Sequence, residues 1–280
     1  MKKMSKKIIA VGLCIACAFG LMAATNKKVV TVKGSDTMVI LAQRWAEQYM
    51  ASHPDITVQV TGGGSGVGLS ALINGTTDIA NSSRPMKKSE MDKLKVRFNS
   101  LGYETQAAKD GITLYLNESN PVSEMSLAQI KAIYLGEITN WKDVGGPDAK
   151  IILYGRENSS GTYVYFRDNV LSGKDYAASM QSLPGTAAVV NAVAKDNLGI
   201  GYGGAAYAKG IKVLKVKKDA NSPAYEPTPE TIKMNQYPIT RYLYMYTRAK
   251  PTGDIKDFVD WTLSAEGQSV VTKVGYFPVN

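Results

Sequence analysis

The chain has 280 residues, and its 33 lysines and arginines outnumber its 24 aspartates and glutamates, which gives a formal net charge of +9. This length is enough for one large or two ordinary domains. With a single histidine and two cysteines, a disulfide-rich scaffold and a cysteine-based zinc site are excluded. The basic residues do not form a run interleaved with aromatic residues, so the charge does not predict a nucleic-acid groove. We expect neither a metal nor a cofactor.

The first 24 residues have the composition of a secretory signal peptide. Residues 1–7 carry four lysines, and residues 8–24 are apolar or small and uncharged, which is the layout of an exported chain. Without these 24 residues and their four lysines, 256 residues with a net charge near +5 remain. Both cysteines lie in the apolar run, so the mature chain would have no disulfide and no thiolate chemistry. The alternatives are a membrane anchor and a lipid-bearing Cys17.

Two units of strand, polar turn and helix follow this leader. In the first, residues 29–32 predict a strand, 34–38 a polar turn and 39–50 an amphipathic helix. In the second, the strand-like run 56–60 precedes a glycine-rich turn at 62–68 and a further helix. Glycine lets a backbone approach a ligand closely, so both turns can form a cradle of N–H groups.

The middle of the chain predicts two helices and several strands. Residues 76–85 predict a short strand that ends in a polar loop, and 88–98 predict a helix after it. Residues 103–116 predict two strands separated by a turn at 109–111, where the chain would pass into its second half. A capped helix is predicted over 127–134.

The third unit of strand, turn and helix concentrates the groups that hold a small tetrahedral anion. Residues 151–154 predict a strand, and the polar turn at 156–163 leads into a helix. The start of a helix has backbone N–H groups without intrahelical partners and a partial positive charge, so residues 160–162 would offer donors to an anion. Arg156 would add a fork of donors and the one full positive charge of the site. The alternative is that a serine caps the helix and Arg156 is solvated.

The last third of the chain completes the alternation of strands and helices. We predict a helix over 187–195, a glycine loop at 199–204, a strand over 211–216, a strand over 239–246 that returns to the first half, and a last helix over 255–271. Strands that alternate with helices are typical of an α/β fold with mostly parallel sheets.

Six motifs stand in a specific order and spacing along the chain. They are GSDTM at 34–38, TGGGSGVG at 61–68, DIANSSRPMK at 78–87, GEITNWKDVGG at 136–146, GRENSSGTY at 155–163 and LGIGYGG at 198–204. Together they resemble the motifs of the phosphate-binding proteins that deliver phosphate to bacterial ABC importers, and the resemblance extends from about residue 29 to the C-terminus.

The resemblance implies the two-lobed periplasmic-binding-protein fold of type II, an α/β fold with two mixed sheets that are flanked by helices and joined by a two-stranded hinge. Residues 25–112 and 242–280 would form the first lobe, and residues 113–241 the second. The protein would be an exported, periplasmic monomer and not an enzyme. It would capture inorganic phosphate between its lobes and deliver it to the membrane permease subunits of an ABC importer.

The resemblance also implies a phosphate site built from both lobes, with eight residues that bind the anion and four neighbours that could contribute. The eight are Thr37, Met38 through its amide, Ser65, Ser83, Arg156, Ser160, Gly161 and Thr162. The four neighbours are Ser35, Asp36, Ser82 and Gly66.

One position departs from the family pattern and bears on selectivity. Longer members of the family have an aspartate where Ser83 stands here. A carboxylate only accepts hydrogen bonds, so it favours phosphate, which still carries a proton, over fully ionised sulfate. Ser83 can donate or accept. Asp36, beside Thr37 at the first helix start, is therefore our candidate for the acceptor. Its alternative role is to stabilise the dipole of that helix.

Other functions stay open at this point. A receptor of the same fold could bind sulfate or molybdate, and a protein that has lost transport could serve as a surface-interaction protein. A serine hydrolase could use Ser65 or Ser160, although the one histidine, His53, is expected in a loop opposite the first helix start. The G-x-G-x-x-G pattern at 199–204 lacks the preceding strand and the acidic residue that a dinucleotide site needs.

Overall fold

The computed structural model describes residues 28–279. The predicted signal peptide over residues 1–24, with Cys17, lies outside the described residues. Within residues 28–279, no helix combines the length and apolar character that are needed to cross a membrane.

Strands and helices alternate through much of the described chain, as its hydrophobic periodicity predicts. The strands are β1 (Lys28–Gly34), β2 (Ile56–Thr61), β3 (Ile79–Ser82), β4 (Tyr103–Leu116), β5 (Glu124–Ser126), β6 (Ile152–Arg156), β7 (Gln181–Leu183), β8 (Gly199–Gly204), β9 (Lys212–Lys217), β10 (Ala224–Tyr225) and β11 (Thr240–Thr247). The helices are α1 (Val39–Ser52), α2 (Ser65–Asn74), α3 (Lys88–Phe98), α4 (Leu127–Tyr134), α5 (Gly161–Asn169), α6 (Thr186–Lys195), α7 (Pro229–Lys233), α8 (Gly253–Leu263) and α9 (Ala265–Val274).

The sheet is mixed, and its order places the predicted turns at strand ends. The strands follow the path β2-β1-β3-β11-β4-β8-β6-β7. Outside this path, β9 pairs with β4, and β5 and β10 pair with β9. β1 is parallel to β2 and β3, and β6 is parallel to β7 and β8. Each of the predicted anion-binding turns follows the carboxyl end of β1, β2, β3 or β6. Ligands of open α/β sheets bind at such ends.

The long strand β4 contributes to two separate hydrophobic cores. Ala107 and Ala108 pack in a core with α1, α8 and α9, whereas Ile112 and Leu114 pack in a core with α4 and α5. Asp110 lies between these two sets. β11 pairs with β4 across the same point, so two antiparallel strands connect the two cores. This is the arrangement of a two-lobed protein with a two-stranded connection.

The prediction of two strands within residues 103–116 is wrong, because β4 is one continuous strand. The charged Asp110 does not lie in an exposed turn. Its carboxylate is buried and paired with Arg241 of β11 at 2.8 Å. Gly111 is needed for packing rather than for a turn. A Cβ there would lie 2.6 Å from the Cβ of Pro227.

The prediction of a glycine loop at 199–204 is also wrong, because these residues form the fully buried strand β8. Its glycines give room to neighbouring side chains. A Cβ on Gly201 would lie 2.6 Å from Cγ1 of Val189, and a Cβ on Gly203 would lie 2.5 Å from the hydroxyl of Tyr115. Glycine therefore lets α6 and β4 pack closely against this strand.

The predicted last helix over 255–271 is two helices, α8 and α9. They are separated at Ser264, whose backbone is extended and whose Oγ accepts a hydrogen bond from the amide of Gly267 at 3.2 Å. A Cβ on Gly267 would lie 2.3 Å from the carbonyl oxygen of Trp261. The second helix therefore starts in close contact with the end of the first.

Candidate functional site

The first helix start lies directly after β1, and two tyrosines hold its backbone. The hydroxyl of Tyr207 donates to the carbonyl of Asp36, and the hydroxyl of Tyr276 donates to the carbonyl of Thr37, each at 2.6 Å. Burial raises the pKa of Tyr207 to about 12, so its phenol stays protonated and keeps donating. The side chain of Thr37 is buried at this position.

The second helix start is Ser65, the first residue of α2, which is completely buried. The preceding Gly64 has a φ of +94°, a conformation that residues with a side chain rarely adopt. A Cβ there would also lie 2.6 Å from the carbonyl oxygen of Ser159. Glycine at position 64 therefore lets the second turn approach the third, where the amide of Gly66 donates to the Ser159 carbonyl at 2.9 Å.

The loop after β3 lies against this second helix start. The amide of Ser83 donates to Oγ of Ser65 at 3.0 Å, and the two hydroxyl oxygens are 3.3 Å apart. Ser82 turns back on its own loop, because its Oγ donates to the carbonyl of Arg84 at 2.7 Å. Ser83 thus faces the second helix start, while Ser82 stabilises the loop.

The third helix start is that of α5, and Ser160 is its N-cap. Oγ of Ser160 accepts hydrogen bonds from the amides of Thr162 and Tyr163 at 3.2 and 3.3 Å. Ser160 therefore caps helix α5, as the alternative interpretation of this serine predicts. A capping serine keeps its own hydroxyl proton, so it can still donate to an anion.

These helix starts, which come from both halves of the chain, meet in one place. Oγ1 of Thr37 lies 2.8 Å from Oγ1 of Thr162. A Cβ on Gly161 would lie 2.2 Å from Oγ of Ser65 and 2.6 Å from Oγ of Ser83. The five residues are buried, and we call them the hydroxyl cluster. They bring hydroxyl groups and helix N-termini together, which is the chemistry that binds an anion.

Arg156 connects the third turn to the first through Asp36. Its Nη2 donates to Oδ2 of Asp36 at 2.6 Å and to Glu157 at 2.9 Å, its Nε donates to Glu157, and its Nη1 donates to Thr186 at 2.8 Å. Oδ1 of Asp36 accepts from the amide of Gly63 at 2.8 Å. Both oxygens of Asp36 therefore accept hydrogen bonds from the protein, and this residue bridges the two turns.

A second buried arginine, Arg241 of β11, touches the hydroxyl cluster directly. Its Nε and Nη2 donate to Oδ2 of Asp110 at 3.0 and 2.8 Å, and its Nη1 donates to the carbonyl of Ser83 at 2.9 Å. Its Nη2 lies 3.0 Å from Oγ1 of Thr162 and 3.5 Å from Oγ1 of Thr37. The expectation of a single full positive charge at the site is therefore wrong.

Sequence reasoning missed both members of this pair. Asp110 was placed in a predicted turn, and Arg241 was placed in an otherwise apolar strand without a role. The available signal was two opposite charges inside the two segments that connect the halves of the chain. Complete burial raises the pKa of Asp110, and the guanidinium of Arg241 opposes that shift by stabilising the carboxylate.

The geometry does not provide a base for serine chemistry or a metal centre. The ring of His53 stacks on Tyr49 with 4.0 Å between ring centroids, and its Nδ1 lies 3.0 Å from the carbonyl of Tyr49. This places it at the end of α1, the opposite end from Thr37. Among residues 28–279, no group of three or more histidines, cysteines, aspartates or glutamates is placed to hold a metal ion.

Comparison with known proteins places the chain in a family. Residues 22–266 match the family described as the PBP superfamily domain. The phosphate-binding protein PstS of Pseudomonas aeruginosa is 30% identical over 263 residues, which cover 88% of this chain and 81% of that protein. PstS of Staphylococcus aureus is 34% identical over 253 residues, which cover 87% of this chain and 76% of that protein. This chain belongs to the PstS family of the PBP superfamily.

Solved structures similar to this PstS-family chain share its fold. A substrate-binding protein assigned to a phosphate ABC transporter of Clostridium perfringens, solved with bound phosphate, is 29% identical with a TM-score of 0.82, covering 90% of this chain and 100% of that one. An ABC-type phosphate transport receptor from Vibrio cholerae is 28% identical with a TM-score of 0.71, covering 89% and 99%. The predicted two-lobed α/β fold is thereby confirmed.

The bridging position of Asp36 predicts that Asp36→Asn destabilises the protein. The substitution removes a charge-assisted hydrogen bond to Arg156, whose side chain is 1% exposed, so we expect a loss of about 1–3 kcal/mol in the free energy of unfolding. Urea denaturation measures this loss. Asp92→Asn is the control, because Asp92 pairs with Lys88 on the surface and should change stability by less than about 0.5 kcal/mol. Equal effects of both substitutions would contradict the bridge.

Proposed function

We propose that this chain is an extracytoplasmic substrate-binding protein that captures inorganic phosphate between two lobes and delivers it to the membrane permease subunits of an ABC importer. Its PstS relatives are named for phosphate binding, and the C. perfringens protein was solved with phosphate. The protein is a receptor and not an enzyme, so it binds and releases its ligand without covalent chemistry.

The hydroxyl cluster is the observation that carries this proposal. Thr37, Ser65 and Ser83 come from the N-terminal half of the chain, whereas Gly161 and Thr162 come from the start of α5. A phosphate has four oxygens that accept hydrogen bonds, and each bond to a charged group in a buried site contributes about 1.5–3 kcal/mol. Donors that converge from two halves of a chain can surround such an anion completely.

We assign the phosphate contacts residue by residue. Hydroxyl donors, helix-start amides and one guanidinium would surround the anion. They come from Thr37, Met38, Ser65, Ser83, Arg156, Ser160, Gly161 and Thr162. The four neighbouring candidates have other contacts. Asp36 bridges two turns, Ser82 stabilises its own loop, and the amide of Gly66 joins the two halves. The backbone amide of Ser35 donates a hydrogen bond to the carbonyl of Asn81 at 2.9 Å and so supports the first helix start.

We further propose that residues 25–112 and 242–280 form one lobe and residues 113–241 the other. The change of core along β4 between Ala108 and Ile112 supports this division. In the present arrangement the hydroxyls of the two lobes touch each other directly. The lobes must therefore separate at the paired strands β4 and β11 to admit phosphate, and they close again over the bound anion.

The location of the protein follows from the same proposal. A receptor that serves an importer works outside the cytoplasm, and the basic and apolar regions of residues 1–24 support export. Lipid attachment at Cys17 is the alternative to a free periplasmic protein. We take the working form to be a monomer.

Isothermal titration calorimetry with phosphate, sulfate and molybdate tests the function. We expect one phosphate to bind per chain, more tightly than either of the other anions, as the PstS relatives named for phosphate binding indicate. The hydroxyls of the cluster can accept the proton of phosphate, but they can also donate to sulfate, so the comparison of the anions decides the selectivity. Tightest binding of sulfate or molybdate would make the chain a receptor for another oxyanion.

The same protein samples test the hydrolase alternative. Turnover of an ester substrate that is abolished by Ser65→Ala would replace the receptor function by a serine hydrolase. We expect no turnover, because His53 is held at the far end of α1 by its stacking on Tyr49.

Closure over the anion predicts a large effect of Gly161→Ala. The new methyl group would lie 2.2 Å from Oγ of Ser65, so the lobes could close only at a greater separation. We expect phosphate affinity to fall by about 10-fold or more, as for the loss of a hydrogen bond to a charged group. Calorimetry measures it. At Gly253 a Cβ meets nothing within 4 Å, although its φ of +54° disfavours a side chain. Gly253→Ala, outside the hydroxyl cluster, should therefore keep the parent affinity even if it lowers stability, and equal affinity of both variants would contradict closure at Gly161.

A further inference from the structure

Arg241 makes more contacts than an arginine needs for the stability of the sheet. Its pairing with Asp110 and its hydrogen bond to the carbonyl of Ser83 use three of its five N–H groups on groups of the connecting strands and the adjacent loop. A buried ion pair can often be replaced by apolar residues without loss of stability. The stability of the fold alone therefore does not explain why a guanidinium is buried here.

The direction of the remaining Nη2 hydrogen indicates a role in binding. One hydrogen of Nη2 is donated to Asp110, and the other is directed to Oγ1 of Thr162. Nη2 lies 3.0 Å from this oxygen and 3.5 Å from Oγ1 of Thr37. These two hydroxyls come from opposite lobes and are 2.8 Å apart. An anion that separates them would take their place as the acceptor for this hydrogen.

Asp110 and Tyr165 hold the guanidinium in this position. Asp110 is completely buried and also accepts the amide of Ala205 at 3.2 Å through Oδ1, so its carboxylate is fixed from two sides. The ring of Tyr165 lies 5.6 Å from the guanidinium carbon of Arg241, and its hydroxyl donates to the carbonyl of Thr240 at 2.6 Å. A guanidinium fixed in this way loses little freedom when it binds an anion.

We propose that Arg241 is a second arginine of the phosphate site and that its Nη2 donates directly to the bound anion, with Asp110 as the residue that orients it. This proposal rests on the proposed function. It adds to the eight assigned residues a ligand on the strand β11, at the point where the two lobes are connected. Phosphate would then contact both lobes and the connection between them.

The test is a double-mutant cycle measured by phosphate calorimetry on the full chain. Arg241→Lys keeps the charge but loses the fork, and we expect it to weaken phosphate binding about 10-fold or more. The same loss is expected when Thr162→Val is already present. If Arg241 acts only by orienting the Thr162 hydroxyl, its effect disappears in the Thr162→Val background, and the proposal is overturned.

Arg248→Lys is the matched control. Arg248 follows the same strand and pairs with Asp78 and the carbonyl of Thr77, but it does not belong to the hydroxyl cluster. Its phosphate dissociation constant should stay within about twofold of the parent, because no bond to the anion changes. Parent-like affinity of Arg241→Lys would also overturn the proposal.

A second variant covers the case in which Arg241→Lys does not fold. Arg241→Gln combined with Asp110→Asn removes both charges together, so no unpaired buried charge remains. We expect this variant to fold by circular dichroism and to bind phosphate about 10-fold or more weakly. If it binds like the parent, Arg241 is only structural. If the parent chain itself binds no phosphate, the proposed function is contradicted. If the parent binds phosphate and the variants bind it equally well, only the proposed role of Arg241 is overturned.

Discussion

Asp110 and Arg241 form an ion pair that is removed from water, with side-chain exposures of 0% and 1%. They face each other across β4 and β11, the two strands that connect the cores. The charge on either residue is tolerated only while the other is present, because an unpaired buried charge costs several kcal/mol. The pair therefore links the two connecting strands, and Nη2 of Arg241 also lies 3.0 Å from Oγ1 of Thr162 and 3.5 Å from Oγ1 of Thr37.

In the site that we propose, oriented donors rather than net positive charge would bind the anion. The two guanidiniums, Arg156 and Arg241, are matched by three carboxylates, on Asp36, Glu157 and Asp110. Partial burial acts to raise the pKa of Glu157, but the adjacent guanidinium of Arg156 lowers it overall, so this carboxylate stays ionised. Each of the three carboxylates already accepts hydrogen bonds from the protein. In the proposed site, a hydroxyl of the cluster, which can accept as well as donate, would therefore meet the proton that phosphate carries, in place of our sequence candidate Asp36.

The sequence predicted the helix starts well because their signals are local. A strand, a glycine or serine turn and a helix stand within a few residues of each other. The structure has a short 3-10 turn from Asp36 that leads into α1 at Val39, and it has helix starts at Ser65 and Gly161. The pair of Asp110 and Arg241 could not be predicted in this way, since its members are 131 residues apart and a charge in a strand shows no partner by itself. The glycines of β8 were misread for a related reason. They are required by side chains that pack on them from α6 and β4, and such contacts leave no periodic pattern in their own segment.

A crystal structure of the protein grown with phosphate would show directly whether both lobes bind one anion. We expect one phosphate in the hydroxyl cluster, with its oxygens within hydrogen-bond distance of Thr37, Ser65 and Thr162, so that both lobes contact the same anion. We also expect contacts to phosphate to replace the direct contact between the hydroxyls of Thr37 and Thr162. A phosphate bound to one lobe only, or at a site away from this cluster, would contradict binding between the lobes.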